Sequence, residues 1–297
     1  MDTVLKRCDL HTHSTFSDGT KTPSGIIEEC VRIGLSAVAL TDHNTVKGLS
    51  EFQNAAKGKP IECVNGVEIS TDYKGKDIHI VGLFLTEESF PKVNAFLETS
   101  NARKTESTKK LIAALSKDGY RIDYDEIRAC HEGQINRAVV AAELLKKGYV
   151  TDIKHAFRTL LNEKGPYYAP PKRVSSEEAI GFLSSIHAVS VLAHPYLTFD
   201  EYEADEFLRM AVPHGLVAME TRYSTYSEEI SRIATETAKK YALLESGGSD
   251  DHGENKPHIR LGKGMGNLSV PYAFYEKMRD FRNGQHERRE NQWNMPK

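Results

Sequence analysis

Residues 8–19 read CDLHTHSTFSDG and place two histidines and an aspartate at the end of a short apolar segment. His11 and His13 are two residues apart, so on a strand both imidazoles point to the same side and can reach one ion. Asp18, in the turn that follows, returns a carboxylate toward the same edge. Zinc, manganese and iron all accept imidazole and carboxylate ligands. The segment therefore predicts a strand end that binds metal.

Short apolar runs alternate with helical patterns along most of the chain. Thr22 is a plausible N-cap, with Pro23 at the first helical position, and a second helix is predicted over 46–56. Repeated βα units imply parallel strands joined by right-handed crossovers, so we predict a barrel-like α/β fold. The predicted strands are 4–13, 35–40, 61–68, 77–85, 188–193, 216–220 and 242–245.

The middle of the chain departs from this alternation. Residues 100–165 are helical in pattern throughout, which predicts a small helical insertion that caps the substrate site. A proline- and tyrosine-rich segment, 166–171, is then an extended return to the barrel. We therefore expect a discontinuous barrel formed by 1–99 and 166–297, with a flexible polar tail over 284–297.

Composition limits the classes of function. The chain has 297 residues, of which 39% are hydrophobic, enough for one large core. Its net charge of -3 argues against a surface that coats duplex DNA. There is neither a run of about 20 apolar residues nor a signal-peptide pattern, so we expect a cytoplasmic protein that does not contact membranes. The four cysteines are scattered without a CxxC pair, which favours free thiols.

Further histidines and acids fall at the ends of predicted strands. A single HxH is weak evidence, and His79 alone is more easily explained as an ordinary core or surface histidine. Several strand ends each carry a histidine or an acid, and together they favour metal ligands over ordinary histidines. Asp42 is expected to orient a neighbouring group, Glu68 to bridge two cations, and Asp251 to point away from the ions. The additional candidate ligands are His43, Glu68, His79, His194, Asp250 and His252.

The motifs resemble those of the PHP (polymerase and histidinol phosphatase) family, and most closely its TrpH/YciV-like branch. They are the segments DLHTH (9–13), LTDH (40–43), GVE (66–68), AHP (193–195) and GSDDHG (248–253). The resemblance implies a distorted (β/α)7 TIM-like barrel with a small helical insertion and two to three Mn, Fe or Zn ions. It implies phosphoesterase activity on nucleotides or short RNA. The implied ligands are His11, His13, Asp18, His43, Glu68, His79, His194, Asp250 and His252.

Two positions differ from the pattern of this branch. Asn44 stands where an aspartate usually follows the TDH triplet, which removes a charge near the site but no ligand. The stretch Arg137-Ala138-Val139 stands where the branch has Arg-Pro-His, so a histidine that faces the substrate is missing. Arg137 is retained and can bind a phosphate in a bidentate manner. Lys172 is a further candidate for substrate binding, and we rank it above Arg173.

The sequence therefore predicts a metal-dependent phosphoesterase. Its substrate would be a nucleotide or short single-stranded RNA, cleaved in the manner of a 3′,5′-bisphosphonucleotide phosphatase or a 5′-3′ exoribonuclease. We expect catalytic roles for His194, as an acid or a ligand, and for Asp42 and Arg137. The alternatives are a histidinol-phosphate phosphatase, a C–N amidohydrolase and a non-catalytic metal-binding module. Stacking aromatics for an RNA strand could come from Tyr167, Tyr168, Tyr223 and Tyr226.

Overall fold

The computed structural model of the chain describes residues 6–131 and 133–293. The strands are β1 (Arg7–Asp9), β2 (Ala37–Leu40), β3 (Glu62–Tyr73), β4 (Lys76–Leu83), β5 (Val174–Ser175), β6 (Val189–Leu192), β7 (Ala218–Tyr223), β8 (Leu244–Gly248) and β9 (Val270–Pro271). The helices are α1 (Pro23–Arg32), α2 (Leu49–Ala56), α3 (Phe90–Lys117), α4 (Tyr124–Cys130), α5 (Arg137–Lys146), α6 (Ile153–Thr159), α7 (Ser176–Ser185), α8 (Glu201–Ala211), α9 (Glu228–Lys240) and α10 (Tyr272–Trp293).

The strands form one sheet in the order β8-β7-β6-β4-β3-β2-β1-β9, with β5 beside β3. The pairs β1–β2, β2–β3, β6–β7 and β7–β8 are parallel, as the βα repeats predict. The parallel pattern is wrong for β4, which runs antiparallel to both β3 and β6. Lys74 and Gly75 have φ values of 53° and 79°, and two successive positive φ angles make the tight turn that joins antiparallel strands.

Backbone hydrogen bonds close the sheet into a ring by joining β8 to β1. The amide of Leu10 donates to the Gly247 carbonyl at 3.1 Å, and the amide of Asp250 donates to the His11 carbonyl at 2.8 Å. A third bond, of 3.0 Å, joins His13 to Asp251. The predicted TIM-like barrel is therefore confirmed, with the carboxyl ends of β1, β2, β6 and β8 at one rim.

Several element boundaries differ from those predicted. β3 extends to Tyr73, so Glu68 lies inside a long strand rather than after a short one. The strand predicted over 4–13 is formed only over Arg7–Asp9, so His11 and His13 follow the strand instead of lying on it, and residues 4 and 5 lie outside the described part. α10 continues to Trp293, so 284–293 of the predicted tail is helical, while 294–297 lie outside the described residues. Thr22 caps α1 as predicted, by accepting from the Gly25 amide.

The helical insertion has a hydrophobic cluster of its own. Leu111 and Leu115 of α3 pack with Val140 and Leu144 of α5 and with Leu161, apart from the two clusters that fill the barrel and its outer layer. α3 begins at Phe90 and continues into this cluster, so the predicted domain boundary at 99 falls within a helix. Among the described helices, none is long and apolar enough to span a membrane.

Substitution of two glycines by alanine should change the stability of the fold in opposite directions. A Cβ at Gly248 would lie 2.9 Å from Asp9 Oδ1 and closer still to His11, where β8 meets β1. We expect Gly248→Ala to lower the free energy of unfolding by about 1–3 kcal/mol through overpacking. Gly181, exposed within α7, has no atom within 4 Å of its Cβ position, so Gly181→Ala should raise it by about 0.5–1 kcal/mol.

Urea denaturation of the two variants beside the unsubstituted chain measures both changes. Shifts of the same sign would contradict the close approach of β8 to β1.

Candidate metal centre

The barrel rim brings together all nine residues that the motifs identify as ligands. They form four overlapping groups, within each of which the potential ligand atoms lie within 4.8 Å of one another. Each group has three or four members, which suits a divalent cation. The groups are His13/Asp18/His43/His252, His11/His13/Asp250, His11/Glu68/His194 and His43/Glu68/His79.

Glu68 lies at the centre of this cluster and is fully buried. Its Oε2 is 3.2 Å from Nε2 of both His11 and His13 and 3.0 Å from Nδ1 of His43. Its Oε1 is 2.8 Å from His79 Nδ1 and 3.2 Å from His194 Nε2. One carboxylate is therefore in reach of five imidazoles, which is the arrangement that a bridging ligand requires.

Burial and charge act against each other at these residues. Burial opposes the ionisation of Glu68, but the nearby imidazoles of His43, His11 and His79 hold the pKa of this carboxyl well below its usual range. Burial also opposes the charged form of His13, yet Asp250 and Glu68 raise the pKa of that imidazole to about 9. The pKa of His79 is raised to about 10, against burial, by Glu68 and Asp77. A metal ion must therefore displace protons from these imidazoles at neutral pH.

Three buried ligand atoms have no hydrogen-bond partner among the described residues: Asp18 Oδ1, His43 Nδ1 and Glu68 Oε2. The last two lie 3.0 Å apart without forming a hydrogen bond. Buried polar atoms are nearly always satisfied, and three that are not, in one cluster, need an explanation. Each atom carries a lone pair suited to a divalent cation, so the residues present fit a metal centre.

Glu220, which the sequence analysis did not select, supports two of the histidines. Its Oε1 lies 2.9 Å from His11 Nδ1, and its Oε2 accepts from the backbone amide of His194 at 2.7 Å. The amide of His194 is held although that residue has a left-handed φ of 31°. Glu220 is a carboxylate at the end of a predicted strand, the same signal that identified the other acids.

Asp42 accepts no hydrogen bond from a histidine within the described residues, and the group that it orients is the turn after β1. Its carboxylate accepts from the Ser14 amide at 2.7 Å, from the Ser14 hydroxyl at 2.6 Å and from the Ser17 hydroxyl at 2.5 Å. It therefore stabilises the turn that carries Asp18 and is not itself a member of the four ligand groups. The expectation of a direct catalytic role for Asp42 has no support in these contacts.

Asp250 is held by two neighbours that sequence reasoning missed. The hydroxyl of Tyr223 and the ammonium of Lys256 each donate to Asp250 Oδ2 at 2.7 Å. Its Oδ1 is left facing His13 Nε2 at 3.1 Å. Asp251 points away, as predicted, and pairs with Lys21 at 2.9 Å.

A cavity of about 190 Å³ opens beside the cluster, between the barrel and the insertion. Asp18, His43 and His79 line one side of it. Its other lining residues include three cations, Lys104, Arg137 and Arg173.

Arg173, which the sequence ranks below Lys172, is the residue of this pair that lines the cavity. Lys172 is exposed and is not among the lining residues, whereas Pro171 and Arg173 are. Side chains alternate along the extended segment that returns to the barrel, so the arginine faces the cavity and the lysine faces away.

Of the four tyrosines predicted to stack on RNA bases, one lines this cavity and three do not. Tyr168 lines the cavity, whereas the hydroxyl of Tyr167 donates to Asp118 at 2.7 Å. Tyr223 is buried against Asp250, and Tyr226 is buried in the core. Asn44 also lines the cavity, with a φ of 52° that asparagine tolerates better than most residues.

Known proteins resemble this chain in sequence and in fold. The PHP domain family matches residues 9–168, which include six of the nine predicted ligands. A 5′-3′ exoribonuclease from Haemophilus influenzae is 30% identical over 278 residues, covering 92% of this chain and 100% of that protein. A 3′,5′-nucleoside bisphosphate phosphatase from Chromobacterium violaceum is 33% identical over 193 residues, covering 64% and 67% respectively. A crystal structure from Bifidobacterium adolescentis, described as a metal-dependent phosphoesterase, has a TM-score of 0.82 at 25% identity and covers 92% and 95%.

Glu220→Gln should weaken metal binding. Glutamine keeps the size of the side chain but replaces one carboxylate oxygen by an amide, so it cannot accept from both His11 and the His194 amide. We expect affinity for at least one divalent ion to fall about 10- to 100-fold, as is typical when a partner of a ligand is lost. Competition with a chromophoric chelator measures this change.

Glu245→Gln is the matched control. Glu245 lies on the adjacent strand β8 and accepts from Thr221 and Thr235 instead of a histidine. Equal loss of metal affinity in the two variants would contradict the specific role of Glu220.

Proposed function

This chain belongs to the PHP family of metal-dependent phosphoesterases, and from that premise we propose that it hydrolyses a phosphoester of a nucleotide that carries a second phosphate. The nucleotide is either free, as a 3′,5′-bisphosphate, or the 5′-phosphorylated end of a short RNA. Of the relatives described above, one is named for a 3′,5′-nucleoside bisphosphate and the other for the 5′-3′ degradation of RNA. The proposal depends on the position of Lys104.

Lys104 is the cation of the cavity that stays available for a ligand. Within the described part of the chain it makes no salt bridge, although it lines the same cavity as His43 and His79. Burial lowers its pKa from the ordinary lysine value, against the attraction of Asp77 and Asp18. An anionic group on the ligand would relieve that cost by pairing with the ammonium.

The two arginines are already paired with acids. Arg137 Nη2 is 3.1 Å from Glu163 Oε1, and Arg173 Nη2 is 2.8 Å from Asp77 Oδ2. Arg137 is further held over the ring of Tyr168, with 4.4 Å between the guanidinium carbon and the ring centroid. These contacts keep both guanidinium groups in fixed orientations beside the cavity, where they add positive potential and hydrogen-bond donors.

A substrate with two phosphates would contact both the side of the cavity lined by histidines and the side lined by cations. One phosphate would lie on the side of His43 and His79, and the other would lie against Lys104 and the arginines. We propose two to three divalent ions of Mn, Fe or Zn in the cluster, which when bound polarise the phosphoryl group and lower the pKa of water. Lys104 and Arg137 then hold the substrate and neutralise charge on its non-bridging oxygens.

His194 fits a ligand role better than that of a general acid. Its Nε2 faces Glu68 Oε1 at 3.2 Å, and it belongs to the group with His11 and Glu68. It is not among the residues that line the cavity. We therefore assign it to metal binding and leave proton donation to the leaving oxygen to another group.

Histidinol phosphate fits this cavity less well. It has one phosphate and carries an ammonium group, which Lys104, the cation without an acid partner among the described residues, would repel. A C–N amidohydrolase would have no use for the cations beside the metal ligands. A substrate with two phosphates is therefore the one that would contact both the metal ligands and the cations of the cavity.

Phosphate or nucleotide release with Mn²⁺ tests the proposal. The panel contains a 3′,5′-bisphosphonucleotide, mononucleotides with one phosphate, a 5′-phosphorylated oligoribonucleotide and histidinol phosphate. We expect turnover of the substrates with two phosphates, and Lys104→Met should raise their KM about 10- to 100-fold, because a charged hydrogen bond contributes about 1.5–3 kcal/mol. The KM for mononucleotides should change little.

Arg103→Met is the matched control, since Arg103 is the neighbouring residue on α3 and is exposed. A KM that rises equally for every substrate, or turnover of histidinol phosphate alone, would contradict the role of Lys104.

A further inference from the structure

Asn136 joins the insertion to the metal cluster. It is the N-cap of α5, and its Oδ1 accepts from the Val139 amide at 3.0 Å. Its Nδ2 donates to Asp18 Oδ2 at 2.9 Å, in a bond that is buried on both sides. The same side chain therefore both starts the helix and holds a predicted metal ligand.

The two partners also fix the orientation of the amide. The Val139 N–H can only donate, so it must face the carbonyl oxygen of Asn136. The ionised carboxylate of Asp18 can only accept, so it must face the amino group. Serine and threonine share the capping ability of asparagine but are too short to span both partners, and aspartate has no donor for Asp18.

The bond to Asn136 separates the two oxygens of Asp18. Oδ2 is occupied by the amide, whereas Oδ1 has no hydrogen-bond partner in the described structure. Oδ1 lies 3.3 Å from His252 Nε2 and 3.9 Å from His13 Nδ1, whereas Oδ2, besides accepting from the amide, lies 3.8 Å from His43 Nε2. The free lone pairs of Asp18 are thus directed into the group formed with His13, His43 and His252.

The insertion packs tightly on the turn that carries Asp18. A Cβ on Gly133 would lie 2.6 Å from the carbonyl oxygens of both Phe16 and Ser17. Arg137, which follows Asn136 directly, lines the cavity. The start of α5 is therefore fixed against the barrel by the close packing of Gly133 and by the hydrogen bond of Asn136.

We propose that Asn136 is a positioning residue that fixes Asp18 as a one-oxygen ligand, through Oδ1, and so couples the helix that carries Arg137 to one metal position. The inference rests on the proposed metal centre but not on the identity of the substrate. Loss of the amide should let Asp18 rotate, which weakens the ion held with His13, His43 and His252. Ions held by the other groups should be affected much less.

Asn136→Ser tests this coupling because it keeps an N-cap and removes the donor to Asp18. Titration calorimetry with Mn²⁺, without substrate, should show one class of site weakened about 10- to 100-fold and the rest unchanged. Asn136→Thr, which also caps, repeats the measurement in case the serine variant folds poorly. Urea denaturation checks that each variant remains folded.

Asp152→Ser is the matched control, since Asp152 caps α6 in the same insertion by accepting from the His155 amide at 2.7 Å. It should bind Mn²⁺ like the unsubstituted chain. Mn²⁺ binding by Asn136→Ser that equals the control would overturn the proposal, as would the absence of Mn²⁺ binding by the unsubstituted chain. A chain that binds Mn²⁺ as expected but releases no phosphate would overturn the proposed function alone.

Discussion

The structure depends on one buried carboxylate, that of Glu68, placed among five imidazoles. An isolated charge in this position would cost several kcal/mol of desolvation, and it persists only because compensating groups surround it. Those groups come from the ends of β1, β2 and β6 and from the interior of β4, so the requirement is met only when the barrel is closed. Without an ion, the surrounding acids raise the pKa of His13 and His79 and so favour the charged form of these imidazoles, which compensates Glu68. Metal binding and protonation of the imidazoles are thus alternative solutions to the same electrostatic problem.

The insertion completes the site that the barrel begins. The barrel supplies the ligands, whereas α3 supplies Lys104 and α5 supplies Arg137. The hydrogen bond from Asn136 to Asp18 makes these two parts meet at a ligand atom. In the proposed function, the two cations that would select the substrate, Lys104 and Arg137, therefore lie on a separately packed unit.

Much of this could be predicted from the sequence, because strand ends are local features. The HxH that follows β1, the Asp42-His43 pair and the Asp250–His252 turn each come after an apolar run, and the structure brings all nine predicted ligands together. What failed depends on distant contacts. The direction of β4 follows from a two-residue turn and its pairing with β6, which apolar patterning does not encode. Asp42 is bound by serines of another loop, and Lys104 faces the cavity only through the packing of α3.

Anomalous diffraction from crystals grown with Mn²⁺ would decide whether this cluster is a multinuclear metal centre. Two or three anomalous peaks are expected inside the barrel rim. At least two of them should lie about 2.0–2.2 Å from an oxygen of Glu68, the usual distance of a carboxylate ligand. A single peak, or ions bound only outside the nine residues, would show that the cluster is not a multinuclear metal centre.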